Sequence, residues 1–149
     1  MKNFGYSMLW YWLAYFIVTT IGVLHTIYNA KVKGMGVMGK ERVPMNKIES
    51  YAKTMPFHPL YNIVIFTIAA ILYLKGINDL TFLDALYTGL LWFGITAVFD
   101  LIAWVLIPHP YHCTFKDFYV DYQPWITIIY IVIFACPLIA FVMLHTLFA

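Results

Sequence analysis

Four long apolar runs divide the chain: Tyr6 to Ile27, Phe57 to Leu74, Phe82 to Ile107 and Trp125 to Phe148. A helix needs about 20 apolar residues to cross the hydrocarbon core of a bilayer. Three of the runs exceed that length, and the second reaches it by starting near Pro56. Soluble core helices this apolar would find nothing in a 149-residue chain to bury them, so the pattern predicts four transmembrane helices surrounded by lipid.

The polar stretches between the runs are unequal. Lys75 to Thr81 is a short turn that predicts an antiparallel hairpin of the second and third helices, whereas 28–56 and 108–124 are long. In the first long loop, Pro44 to Met55 sets Met45, Ile48, Ala52 and Met55 on one helical stripe, predicting a short amphipathic helix on the membrane surface. In the second, Pro108 and Pro110 end the third helix. Thr114 to Asp117 then matches a capping box ahead of Phe118, Tyr119 and Tyr122, which suits an interfacial helix with an aromatic face or an irregular loop. The two halves also share short similarities. Leu9-Trp10-Tyr11 matches Leu91-Trp92-Phe93, and Phe57-His58-Pro59-Leu60 matches Tyr122-Gln123-Pro124-Trp125, as a parallel repeat or an aromatic-rich composition would produce.

Composition agrees with the pattern: 63% of residues are hydrophobic, 19% aromatic and only 11% charged. Soluble domains carry about a quarter charged residues. A water-soluble globule is excluded, and residues 1–149 are expected to form a single integral membrane domain of the all-α class, a four-transmembrane-helix bundle with short interfacial helices in its two long loops. Nothing points to nucleic acid. Lys31, Lys33, Lys40, Arg42, Lys47, Lys53 and Lys116, seven of the nine basic residues, fall in the two long loops, leaving Lys2 and Lys75 for the opposite side. By the positive-inside rule those loops face the cytoplasm and the anionic inner leaflet of the cell membrane, and both termini lie outside. The N-terminal run follows a single Lys2 and has no small-residue cleavage site, so it is read as a retained helix. Cys113 and Cys136 sit in different contexts and form no disulfide framework.

Asp100 changes the picture most, because a carboxylate inside a span costs on the order of 3 kcal/mol. It belongs to a stripe of Asp84, Thr88, Trp92, Thr96, Asp100 and Trp104 recurring every four residues, which faces other helices or a cavity. The bland use of Asp100 is a structural hydrogen bond. Counting about 1.5 Å of rise per residue from each midpoint puts Asp100, Asn62 and Tyr130 about 6 to 9 Å toward the long-loop side, with His25, His58 and Trp104 about 12 to 13 Å. Asp100 and His25 are therefore the candidate proton-handling pair, since such neighbours shift each other's pKa in opposite senses. Asn62, Tyr130, Trp104 and His58 are candidate binding groups, and His109 and His112 would lie at the mouth. Thr19, Gly22, Thr26 and Asn29 form a small polar face on the first helix, suited to close packing or a wet cavity.

His109-Pro110-Tyr111-His112-Cys113 holds metal-ligand types, but Pro110 keeps the histidines off a common helical turn and no second ligand cluster follows, so no metal is expected. His25 and His58 match in depth as haem ligands would, yet no cofactor is expected. Gly34 to Gly39 fits G-x-G-x-x-G without the preceding strand a dinucleotide site needs, and is read as a flexible basic loop. Asn46-x-x-Glu49 with Pro56-Phe57 resembles the membrane-associated eicosanoid and glutathione metabolism family, four-helix proteins of this size. The basic residues that family places on its membrane helices are absent, so the resemblance implies no site residues here.

The function expected is the handling of a small molecule or lipid at this inner-leaflet layer, without a cofactor, by proton-linked transport or by acid/base chemistry, in a homodimer or a larger membrane complex. The alternative is a non-catalytic accessory, immunity or assembly protein of a larger membrane complex.

Overall fold

A computed structural model of the chain describes residues 3–36, 47–109 and 112–147. Lys2, Lys40, Arg42, Gly39, Pro44, Met45, Asn46, Pro110, Tyr111 and Phe148 lie outside the described residues. Among those described there are helices and irregular segments and no strand. The order is α1 (Phe4–Lys31), α2 (Glu49–Ala52), a 3-10 turn (Met55–Phe57), α3 (His58–Leu74), α4 (Phe82–Asp100) with a π-helical turn (Leu101–Leu106), α5 (Phe115–Tyr119) and α6 (Trp125–Leu147). Four stretches are long and apolar enough to cross a membrane, Phe4–Lys31, Glu49–Leu74, Phe82–Leu106 and Trp125–Thr146, as an integral membrane protein requires.

Two boundaries differ from the apolar runs for a physical reason. α1 continues past Ile27 because its polar end is docked: Asn29 is fully buried and its Nδ2 donates to the carbonyl of Ser50 at 3.3 Å. α2 packs against α1, with Ser50, Thr54 and Met55 buried, and leads through the 3-10 turn into α3. Of the predicted amphipathic stripe, Ile48, Ala52 and Met55 fall in this docked segment. Thr81 and Asp84 open α4 with a reciprocal capping box, and Thr114 and Asp117 do the same for α5.

The helices turn aliphatic side chains outward and polar ones inward. Leu9, Leu13, Leu24, Val64, Ile131 and Val142 are exposed, whereas Ser7, Asn29, Thr88, Thr96 and Asp100 are buried. Lipid tails are as apolar as leucine, so small residues and polar contacts are what hold such helices together. α6 shows this best, because α3 and α4 each pack on it more extensively than on any other element. Gly89 of α4 presents bare backbone to α6, where an added Cβ would overlap the carbonyl oxygen of Phe134. On the other side of α6 the buried Cys136 Sγ reaches the carbonyl of Ile63 in α3 at 3.7 Å. The short turn after α3 therefore joins two helices whose main contacts are with α6. The sequence helix, short helix, helix occurs once before that turn and once after it.

Candidate functional site

Every fourth residue of α1 meets every fourth residue of α4. Trp92 Nε1 donates to Ser7 Oγ at 3.0 Å, Tyr11 Oη hydrogen-bonds Thr96 Oγ1 at 2.9 Å, and Tyr15 Oη donates to Asp100 Oδ1 at 2.7 Å. Each pair is 85 residues apart, so the two helices run parallel in fixed register. A spacing of four keeps all three rungs near one face of each helix. Each rung joins one tryptophan or tyrosine to one short polar side chain, and the backbone of α1 packs on α3 rather than on α4. Beyond the last rung α1 offers only Thr19, Gly22 and Thr26 on this face, and a cavity of about 440 Å³ opens.

Asp100 closes the inner end of that cavity. It is 5% exposed, and Tyr130 Oη of α6 donates to its Oδ2 at 3.1 Å while Tyr15 holds Oδ1. Trp104 Nε1 donates to Tyr15 Oη at 3.3 Å, which braces the donor. Trp104 stands on the π-helical turn that begins directly after Asp100. π turns are rare and concentrate at functional sites. Two carbonyls near the end of this one are met from the following loop: His109 Nε2 bonds the Ala103 oxygen at 2.8 Å, and the Cys113 amide donates to the Trp104 oxygen at 2.7 Å.

The opposite wall is built on His58, at the first position of α3. Tyr51 Oη donates to Tyr122 Oη at 3.4 Å, which frees the Tyr122 proton for His58 Nδ1. Burial, with the Tyr51 hydroxyl adding to it, pushes the Tyr122 hydroxyl well above the usual phenol range, so it remains a donor. With Nδ1 accepting, the imidazole proton belongs on Nε2. That nitrogen is buried without a hydrogen-bond partner and faces Gly22, where an added Cβ would stand 3.3 Å from it. Asn62, one turn along α3, lines the cavity and donates from Nδ2 to the His58 carbonyl at 2.8 Å. Val18, Val23, Ile27, Ile126, Ile129 and Ile133 make the rest of the wall apolar.

The structure thus brings Asp100, Asn62, His58 and Trp104 to one cavity, with Tyr130 holding Asp100 from behind. It does not bring His25 to Asp100. His25 Nδ1 bonds Tyr61 Oη and its ring meets Phe57, and among the described residues no hydrogen bond joins it to Asp100. His109 caps the π turn, and His112 Nδ1 bonds the His109 carbonyl at 3.2 Å, so neither lies in the cavity wall. Among the described residues no group of three or more His, Cys, Asp or Glu side chains is placed to hold a metal ion. Sequence reasoning passed over Tyr15, Tyr51, Tyr61 and Tyr122. The Ser7, Tyr11, Tyr15 spacing on α1 is a signal for the first of them, while the others carry none beyond aromatic character.

No protein-family model, curated protein or solved structure matches the chain. The fold and site define an all-helical protein with four helices long and apolar enough to cross a membrane and a half-open, largely apolar cavity among them.

Proposed function

We propose that this is an integral protein of the cell membrane that binds a small amphiphile in the cavity beside Asp100. The observation that carries this is the composition of the wall: isoleucines and valines with a few fixed polar groups, the usual make-up of a small-molecule site. The apolar part of the ligand lies along Ile126, Ile129 and Ile133, and its polar part meets Asp100, Asn62 and His58. Asp100 and His58, which both line the cavity, replace Asp100 and His25 as the groups able to exchange protons with a bound molecule in acid/base chemistry or proton-linked transport. The four spans form a four-helix bundle with both termini outside, and α2 and α5 lie at the cytoplasmic interface. Lys31, Lys33, Lys47, Lys53 and Lys116 support that orientation by their place at the cavity end of the molecule.

Mass spectrometry of the protein purified in mild detergent tests the proposal. Wild type is expected to retain a bound amphiphile, and a Thr19→Trp/Ile129→Trp variant, which sets two indoles into the cavity, is expected to lose it while keeping its helical circular dichroism. Equal retention by both proteins contradicts ligand binding at this site and favours the accessory-protein alternative.

A further inference from the structure

The cavity has an unbalanced charge. Asp100 is the one formally charged residue among those lining it, and no Lys or Arg is among them. The groups that hold its carboxyl are the phenols of Tyr15 and Tyr130, neutral donors that bring no positive charge to it. An ionised carboxylate accepts at about four lone-pair positions, so these two bonds leave capacity for a further partner.

The walls around it are rich in rings. Tyr15, Tyr51, Tyr61, Trp104, Phe118 and Tyr122 all line the cavity. The face of an aromatic ring attracts a cation, by about 2 kcal/mol or more once water is removed, and such cages recognise quaternary ammonium groups. A buried carboxylate and aromatic walls therefore favour the same kind of ligand. They disfavour an anion, which would meet Asp100 with no cation to offset the repulsion. They also disfavour a phospholipid head, whose phosphate would enter a wall without a basic residue.

Resting on the amphiphile-binding proposal above, we infer that the ligand is a lipophilic organic cation without a phosphate, an amine or quaternary ammonium on an apolar body, seated with its charge against Asp100 and the aromatic walls.

The test uses the full chain in lipid nanodiscs and probes matched in shape. Tetraphenylphosphonium and tetraphenylborate have nearly the same size and opposite charge, and lysophosphatidylcholine carries a quaternary ammonium together with a phosphate. Titration calorimetry is expected to show saturable binding of tetraphenylphosphonium at least roughly tenfold tighter than of either other probe. That binding should weaken at least roughly tenfold in Asp100→Asn, as loss of a buried charge partner does, and disappear in the Thr19→Trp/Ile129→Trp variant. Tetraphenylborate or lysophosphatidylcholine binding as tightly as the cation, in a manner the double tryptophan variant abolishes, overturns the cation assignment and leaves the amphiphile site standing. Binding of every probe unchanged by the double variant overturns the site itself. The comparison of probe charge on wild type requires no variant to fold.

Discussion

Removing both hydroxyls that hold Asp100, in a Tyr15→Phe/Tyr130→Phe variant, is expected to destabilise the protein by about 3 to 6 kcal/mol, taking about 1.5 to 3 kcal/mol for each hydrogen bond to a charged group. Asp100 is 5% exposed, so its carboxylate depends on these two donors far more than a surface carboxylate would. Loss of the Tyr15 hydroxyl also removes the acceptor of Trp104 Nε1. The informative comparison adds Asp100→Leu to the double variant. Once the charge is gone the phenylalanines leave nothing unsatisfied at the carboxylate, and part of the stability should return. Thermal unfolding followed by circular dichroism in one detergent measures both effects. A double variant as stable as wild type would mean that the two tyrosines do not hold the carboxylate.

Gly89→Val should be similarly damaging for a different reason. A Cβ at Gly89 would overlap the carbonyl oxygen of Phe134, and backbone cannot swing aside as a flexible side chain can. α6 would be pushed off α4, at a cost of about 3 kcal/mol, the upper part of the usual range for overpacking. Gly94, on the same helix, has open space where its Cβ would stand, so Gly94→Val is the control and should change stability little. Equal loss at both positions would point to glycine's backbone properties rather than to the α4–α6 contact.

The transmembrane helices were legible because a bilayer demands a long unbroken apolar run and a chain either has one or does not. Their ends were less so: the apolar run stops at Ile27, only the polar face that Asn29 continues hints at more helix, and the docking of Asn29 on the carbonyl of Ser50 anchors the end of α1. Asp100 was legible because its cost inside a span demands compensation, and its four-residue stripe did turn inward. Its partner was not, since depth along a helix says nothing of direction around it. At 100° per residue His25 points about 80° away from Tyr15, while Thr19, Gly22 and Thr26 stay within about 40° of it. The last three line the cavity and His25 does not. The tyrosines escaped notice because in so aromatic a chain they read as membrane-interface residues, and only a partner on another helix shows that a hydroxyl is in use.

Labelling of the membrane-embedded protein with dicyclohexylcarbodiimide, an apolar reagent for buried carboxyl groups, tests most directly whether Asp100 faces a cavity that small apolar molecules enter. Peptide mass spectrometry should find the adduct on Asp100 in wild type and strongly reduced labelling in the Thr19→Trp/Ile129→Trp variant. Labelling of Asp100 to the same extent in both proteins would contradict access through the cavity.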